Sequence, residues 1–200
     1  TYSIDTAMAS WLASVLYAGL LIGAVFAERL VHFCGHKRGY IACLMTFVTT
    51  IVLLPLLPNE TVWLMARFIA GAAVAGIFVI VESWLMAGEE KSRAKRLSIY
   101  MIALYGGSAL GQFGIGLLGV EGSSPFIAVT LLIAGAILAL LLVDSDQPNA
   151  ESSMVLSVKQ MLKLNHAAII GCVVSGLTLG AIYGLMPLEL NQRGISHDQI

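Results

Sequence analysis

Charge is what this sequence has least of. Asp, Glu, Lys and Arg make up 12% of its 200 residues, apolar types make up 58%, and the mean hydropathy is +0.87. Soluble domains carry about twice that share of charge, so water is excluded as the main solvent of this chain. A basic excess is lacking too: the formal net charge is -1, which argues against nucleic acid as a partner. Cys34, Cys43 and Cys172 are too few and too scattered for a disulfide framework or a paired-thiolate metal site, and are expected to be structural. There is no phosphate-binding glycine loop, nucleophile elbow or zinc-protease helix motif, and no single apolar stretch holds two acids that could act as acid and base. His32, His36, His166 and His197 lack the spacing of a metal cluster and read as loop residues. The expectation is a protein that is not an enzyme and needs no metal or cofactor.

What the chain does have is long uncharged runs. A bilayer core takes about 20 apolar residues as helix, and no backbone group can stay unpaired in lipid. Six stretches qualify as spans: 9–27, 41–57, 62–86, 97–120, 125–143 and 167–188. The fold class expected is therefore an all-α integral membrane bundle. Adjacent all-round apolar helices of this length would leave a soluble bundle almost no polar surface.

Lys and Arg gather in every second connection. Arg29, Lys37 and Arg38 follow the first span, Lys91, Arg93, Lys95 and Arg96 the third, and Lys159 and Lys163 the fifth. The turns 57–61 and 121–125 hold neither. By the positive-inside rule the loops 28–38, 89–96 and 144–165 are cytoplasmic, and the first span runs from outside to inside. The stretch 144–165 is polar, carries Pro148 and Asn149, and reads as a linker, with its second half able to form a short interfacial helix. It separates a bundle over 1–143 from a single span with an outer segment over 166–200. The sequence opens on Thr1 and stops inside a polar segment, so further residues are expected at both ends.

The spans differ in character. Stretches 41–57 and 125–143 are almost wholly aliphatic and suit a lipid-facing position, whereas the third, fourth and sixth carry polar or small residues and suit the interior. Gly19 and Gly23, Gly107 and Gly111, and Gly176, Gly180 and Gly184 repeat at i, i+4, a spacing that lets helix backbones approach.

Arg67 is the best single functional candidate. An arginine at the centre of a membrane helix costs roughly 2.5–3.5 kcal/mol on insertion scales, so it should face a partner, water or a cavity. Glu82 lies about 22 Å further along the same helix and within roughly 60° of the same direction, a face that also holds Gly71, Val74 and Phe78. Two readings are open for each: a pathway residue, or a structural ion pair for Arg67 and an interfacial partner of the 91–96 loop for Glu82. On the fourth span Ser98, Met101, Tyr105, Ser108 and Gln112 share one side and Gly107, Gly111 and Gly114 another, so one side is wet and the other packed. That stripe either lines a pathway or hydrogen-bonds across helices.

With these residues in view, the chain resembles the major facilitator superfamily. The resemblance rests on a basic segment after an inward-running helix, followed by Arg67-Phe68-Ile69-Ala70-Gly71-Ala72. Val81-Glu82-Ser83, Gly111-Gln112 and Tyr183-Gly184-Leu185-Met186-Pro187-Leu188 further resemble its YcaD-like branch. The resemblance implies that the spans are helices two to seven of twelve, with helix one and helices eight to twelve of the same protein as partners. It also implies transport of a small organic solute driven by an ion gradient, with the proton as one candidate ion; Arg67, Glu82, Tyr105, Ser108, Gln112 and Tyr183 are the candidate pathway residues. Arg29, His32, Gly35, Lys37 and Arg38 fall on the family's cytoplasmic gate loop. Of that loop's signature only Gly35 matches, with Lys37-Arg38 displaced by one position and His32 at the place of the acid. The Gly-Pro motif typical of drug/proton antiporters is absent from the fourth span. A non-transporting membrane sensor is the rival reading.

Overall fold

A computed structural model describes residues 6–87, 90–118, 122–142 and 166–192. Among the described residues six helices occupy the six expected stretches: α1 (Thr6–Cys34), α2 (His36–Leu56), α3 (Glu60–Met86), α4 (Glu90–Leu118), α5 (Ser124–Leu142) and α6 (His166–Gln192). Among the described residues α1, α2, α3 and α5 are long and apolar enough to cross a bilayer. α6 holds a shorter apolar run, Ile169–Ile182. α4 is the least apolar of the described helices because its first two turns carry Glu90, Lys91, Arg93, Lys95 and Arg96. The chain separates into two compact units: residues 11–150, which hold most of α1 and all of α2 to α5, and residues 1–10 with 151–200, which hold α6. The linker expected over 144–165 lies outside the described residues.

The segments expected to be basic loops are helical where they are described, and this corrects the sequence reading. α1 runs on through Glu28, Arg29 and His32 to Cys34, and Lys37 and Arg38 sit in the first turn of α2. At about 1.5 Å per residue the 29 residues of α1 span about 43 Å, well beyond a hydrocarbon core of about 30 Å. Long charged side chains favour helix and extend their heads past the apolar zone, so charge marks the membrane edge and not the helix end. Arg29 illustrates this, its guanidinium stacked over the Phe26 ring at 5.3 Å. The break comes at Gly35, whose φ of 77° is one that side chains rarely adopt. In the same way, residues 90–96 are the start of α4.

Helix ends are capped by identifiable groups. Asn59 accepts from the backbone N–H groups of Thr61 and Val62 at 2.9 and 3.4 Å, which starts α3. At the other end of α3, Arg96 reaches back from α4 and donates to the carbonyls of Leu85 at 3.0 Å and Ala87 at 2.6 Å. A guanidinium there satisfies carbonyls that have no helical donor and suits the negative end of the helix dipole. α2 ends where Pro55 and Pro58 remove two donors. Pro58 offers the Leu54 carbonyl no N–H, and the indole of Trp63 supplies one instead at 3.0 Å.

α3 is the hub of the first unit. Against α1 it packs backbone to backbone: a Cβ on Gly19 would strike the Phe68 carbonyl, one on Gly23 would lie 2.5 Å from the Cα of Ala72, and one on Gly71 would strike the Leu16 carbonyl. In lipid, where apolar burial gives little preference for protein over tails, such close approach supplies the dispersion contact that holds helices together. Against α2, Ile80 is fully buried beside Cys43, with Val31 of α1 in the same cluster, and a Cβ on Gly76 would lie 2.6 Å from the Cys43 sulfur. At the same end, buried His36 tilts against the Trp84 ring, with centroids 6.0 Å apart.

The expected division into lipid-facing and interior helices holds for α3 and α5 and fails for α2, α4 and α6: α4 leaves Ile102, Tyr105, Leu110 and Phe113 exposed, and the described residues of α6 are likewise mostly exposed. α5 has no buried residue and exposes Leu131, Leu132, Leu138, Leu141 and Leu142. α2, also expected to face lipid, buries His36, Gly39, Cys43, Leu44 and Thr50. The small residues of α2 meet the small residues of α3, and composition alone does not carry that pairing.

Candidate functional site

The site begins with the way α3 is split between two duties. The side of α3 that carries Gly71 is committed to α1, where no side chain fits. Gly71, which shares a helix direction with Arg67, is thereby a packing residue. One turn back, Arg67 keeps solvent-accessible surface, and no hydrogen bond or ion pair to it occurs among the described residues.

Arg67 lies on the wall of a cavity of about 340 Å³. Ala66, Ala70 and Val74 complete the α3 side, and the small alanines leave the space that larger residues would fill. Leu16 and Leu20 of α1 form a second wall, and Phe47, Thr50, Ile51 and Leu54 of α2 a third. Pro125, Phe126 and Val129, in the first turns of α5, add a fourth side. The lining is hydrocarbon throughout apart from Arg67 and the Thr50 hydroxyl, and that hydroxyl is committed to the Phe47 carbonyl at 2.7 Å. Arg67 is therefore the one ionisable group among the lining residues. Its volume lies at the small end of the range for small-molecule sites, about 300–1,000 Å³.

Comparison with known proteins agrees with this architecture. The chain matches the Major Facilitator Superfamily over residues 1–199. It belongs to that superfamily. An uncharacterized MFS-type transporter of Enterobacter sp. (strain 638) is 35% identical over 99% of this chain and 53% of its own length. Uncharacterized MFS-type transporters named YcaD are likewise 35% identical, that of Escherichia fergusonii over 98% of this chain and that of Escherichia coli K12 over 96%, each over 52% of its own length. The chain spans about half the length of these relatives. No solved structure matches it. The superfamily is one of membrane transporters and not of enzymes, and the chain is a multi-pass membrane protein.

Within this superfamily member the other predicted residues are scattered. Glu82 does not line the Arg67 cavity; it is exposed near the far end of α3, where the Tyr100 hydroxyl of α4 donates to it at 3.4 Å. Tyr105, Ser108 and Gln112 are exposed on α4, outside the cavity wall, and Ser108 donates back to the Leu104 carbonyl at 2.9 Å. Tyr183 and Gly184 belong to α6, but their surroundings lie outside the described residues. Among the described residues nothing lies within 4 Å of a Cβ built on Gly107, Gly111 or Gly176, whereas Gly19 and Gly23 are in tight contact with α3. Gly180 is half-buried on α6. Of the gate segment, Arg29, His32 and Arg38 are exposed, Lys37 is half-buried and Gly35 forms the joint.

Three features of the site escaped the sequence reading. The α1, α2 and α5 walls of the cavity are interhelical facts. The Arg96 cap joins residues eleven and nine positions apart. The Trp63 bond escaped too, although a local signal existed for it, since Pro58 leaves the Leu54 carbonyl without a donor.

Proposed function

We propose that this chain is part of a secondary active transporter that moves a small organic solute across the cytoplasmic membrane by alternating access. The observation that supports this reading most is the position of Arg67 on the wall of an apolar cavity with no protein counter-charge among the described residues. A cation held in a membrane helix at a cost of roughly 2.5–3.5 kcal/mol is most easily understood as a binding group. Energy comes from an ion gradient, with the proton as the coupling ion. The remaining half of the length seen in the relatives supplies the second bundle, which rocks against this one around the bound solute. Glu82, Tyr105, Ser108, Gln112 and Tyr183 line further parts of the pathway. The basic helix ends around Arg29, Lys37 and Arg38 and around Lys91 to Arg96 face the cytoplasm and form part of the inner gate.

The test is flux in proteoliposomes of the full-length protein, comparing wild type with Arg67→Ala, Arg67→Lys and Gln112→Ala. Loss with Arg67→Ala and partial retention with Arg67→Lys support the site. Flux like wild type in all three rejects it. Absence of flux across a broad metabolite panel, with the protein folded, favours a membrane sensor.

A further inference from the structure

The geometry points to an amphipathic organic monoanion as the ligand of the Arg67 cavity, a molecule with one carboxylate or similar head on a compact apolar body. This deepens the proposed function and rests on Arg67 being its binding group. The argument is one of complementarity. The walls contributed by Leu20, Phe47, Ile51, Val74 and Phe126 are hydrocarbon, and they favour a body without polar groups. A sugar or other polyol would lose its water and find one donor side chain in return, which leaves its remaining hydroxyls unsatisfied. An organic cation would meet the Arg67 charge at short range in a medium of low dielectric.

Arg67 itself has the converse need. A guanidinium carries five donors in a planar fork that fits a carboxylate with two parallel hydrogen bonds, and no acceptor takes them among the described residues. One anionic head satisfies the fork and cancels the charge, and a second negative charge has no partner in the lining. The space of about 340 Å³ corresponds to roughly eleven water molecules at their liquid volume of about 30 Å³, so the body is a single ring or a short chain.

The experiment uses the full-length protein in phosphatidylcholine nanodiscs, with phenylbutyrate, its neutral amide, its amine counterpart and glucose as probes in calorimetric titration. Phenylbutyrate is expected to bind about tenfold or more tightly than the amide, and the amine and glucose to give no signal. Arg67→Gln should erase the preference for the anion over the amide, and Ala70→Leu, which fills the cavity and keeps the charge, should weaken both. Equal binding of anion and amide to wild type, or a preference for the amine or glucose, would overturn the inference. So would displacement of phenylbutyrate on adding phosphatidylglycerol, which would assign the site to a lipid. Flux separates this from the parent reading: Arg67-dependent transport of a polyol or cation keeps the transporter and removes the anion, whereas anion binding with no transport does the reverse.

Discussion

Gly71 of α3 lies so close to the Leu16 carbonyl of α1 that no side chain fits between them. A methyl group at this position meets backbone on α1, which cannot rotate away as a side chain would. Gly71→Ala should therefore push α1 and α3 apart along the wall of the Arg67 cavity, and Gly71→Val should do so further. The expected loss is about 1–3 kcal/mol, the usual range for overpacking. Thermal unfolding in detergent, followed by tryptophan fluorescence, measures it, and a Gly71→Ala protein as stable as wild type would contradict the packing described.

Arg96 holds the end of α3 from α4 through two carbonyls. Arg96→Ala leaves both without their donor and should cost about 1.5–3 kcal/mol, the range for hydrogen bonds to a charged group. Arg96→Lys should recover only part of this, because an ammonium cannot reach two carbonyls with the fixed fork of a guanidinium. The readout is the melting temperature of the purified protein, together with protease sensitivity of the 87–90 segment. Equal stability of the lysine and arginine forms would reduce the cap to simple charge.

Trp63 and Pro58 act as a pair. Trp63→Phe keeps an aromatic ring, though a smaller one, and deletes the donor to the Leu54 carbonyl, which alone should cost about 1 kcal/mol. Trp63→Leu removes packing as well and should cost more, since Trp63 is buried. A phenylalanine variant indistinguishable from wild type would mean that another group satisfies Leu54.

Much of this architecture was readable before any coordinate. Hydropathy gave six helices because a span must be long, apolar and internally hydrogen-bonded. Charge was misleading about helix ends: Arg29 and His32 remain helical, and only the backbone freedom of Gly35 reveals the break. The glycine repeat of Gly19 and Gly23 indicated close approach, but its partner on α3 depends on which helix lies opposite. Periodicity put Gly71 beside Arg67 correctly as an angle, yet the angle cannot tell a helix neighbour from a cavity. The cavity is assembled from four helices, and no local pattern in α5 announces that Phe126 will face Arg67.

Sidedness follows from the helix ends. Asn59 lies in the turn without Lys or Arg between α2 and α3, and Lys37 lies at the basic end of α2. In a cysteine-free background, Asn59→Cys should react with a membrane-impermeant maleimide in intact cells, and Lys37→Cys only after permeabilisation. The reverse pattern would invert the orientation and with it the assignment of the basic ends to the cytoplasm.

Glu82 and Tyr100 offer a separate handle on energy coupling. Glu82 is a carboxyl group on a membrane helix, exposed, and linked to α4 through the Tyr100 hydroxyl at 3.4 Å. Ionisable groups in such positions commonly carry protons between states, because a bound proton removes the charge that would otherwise oppose movement through lipid. Glu82→Gln fixes the neutral form and still accepts from Tyr100. Solute exchange down its own gradient should then persist near the wild-type rate, while accumulation driven by an imposed pH gradient should be lost. Tyr100→Phe keeps the carboxyl and removes its donor, so accumulation should survive. Both rates are measured in the same proteoliposomes. Undiminished pH-driven accumulation by Glu82→Gln would remove Glu82 from coupling and leave it as the anchor that joins α3 to α4.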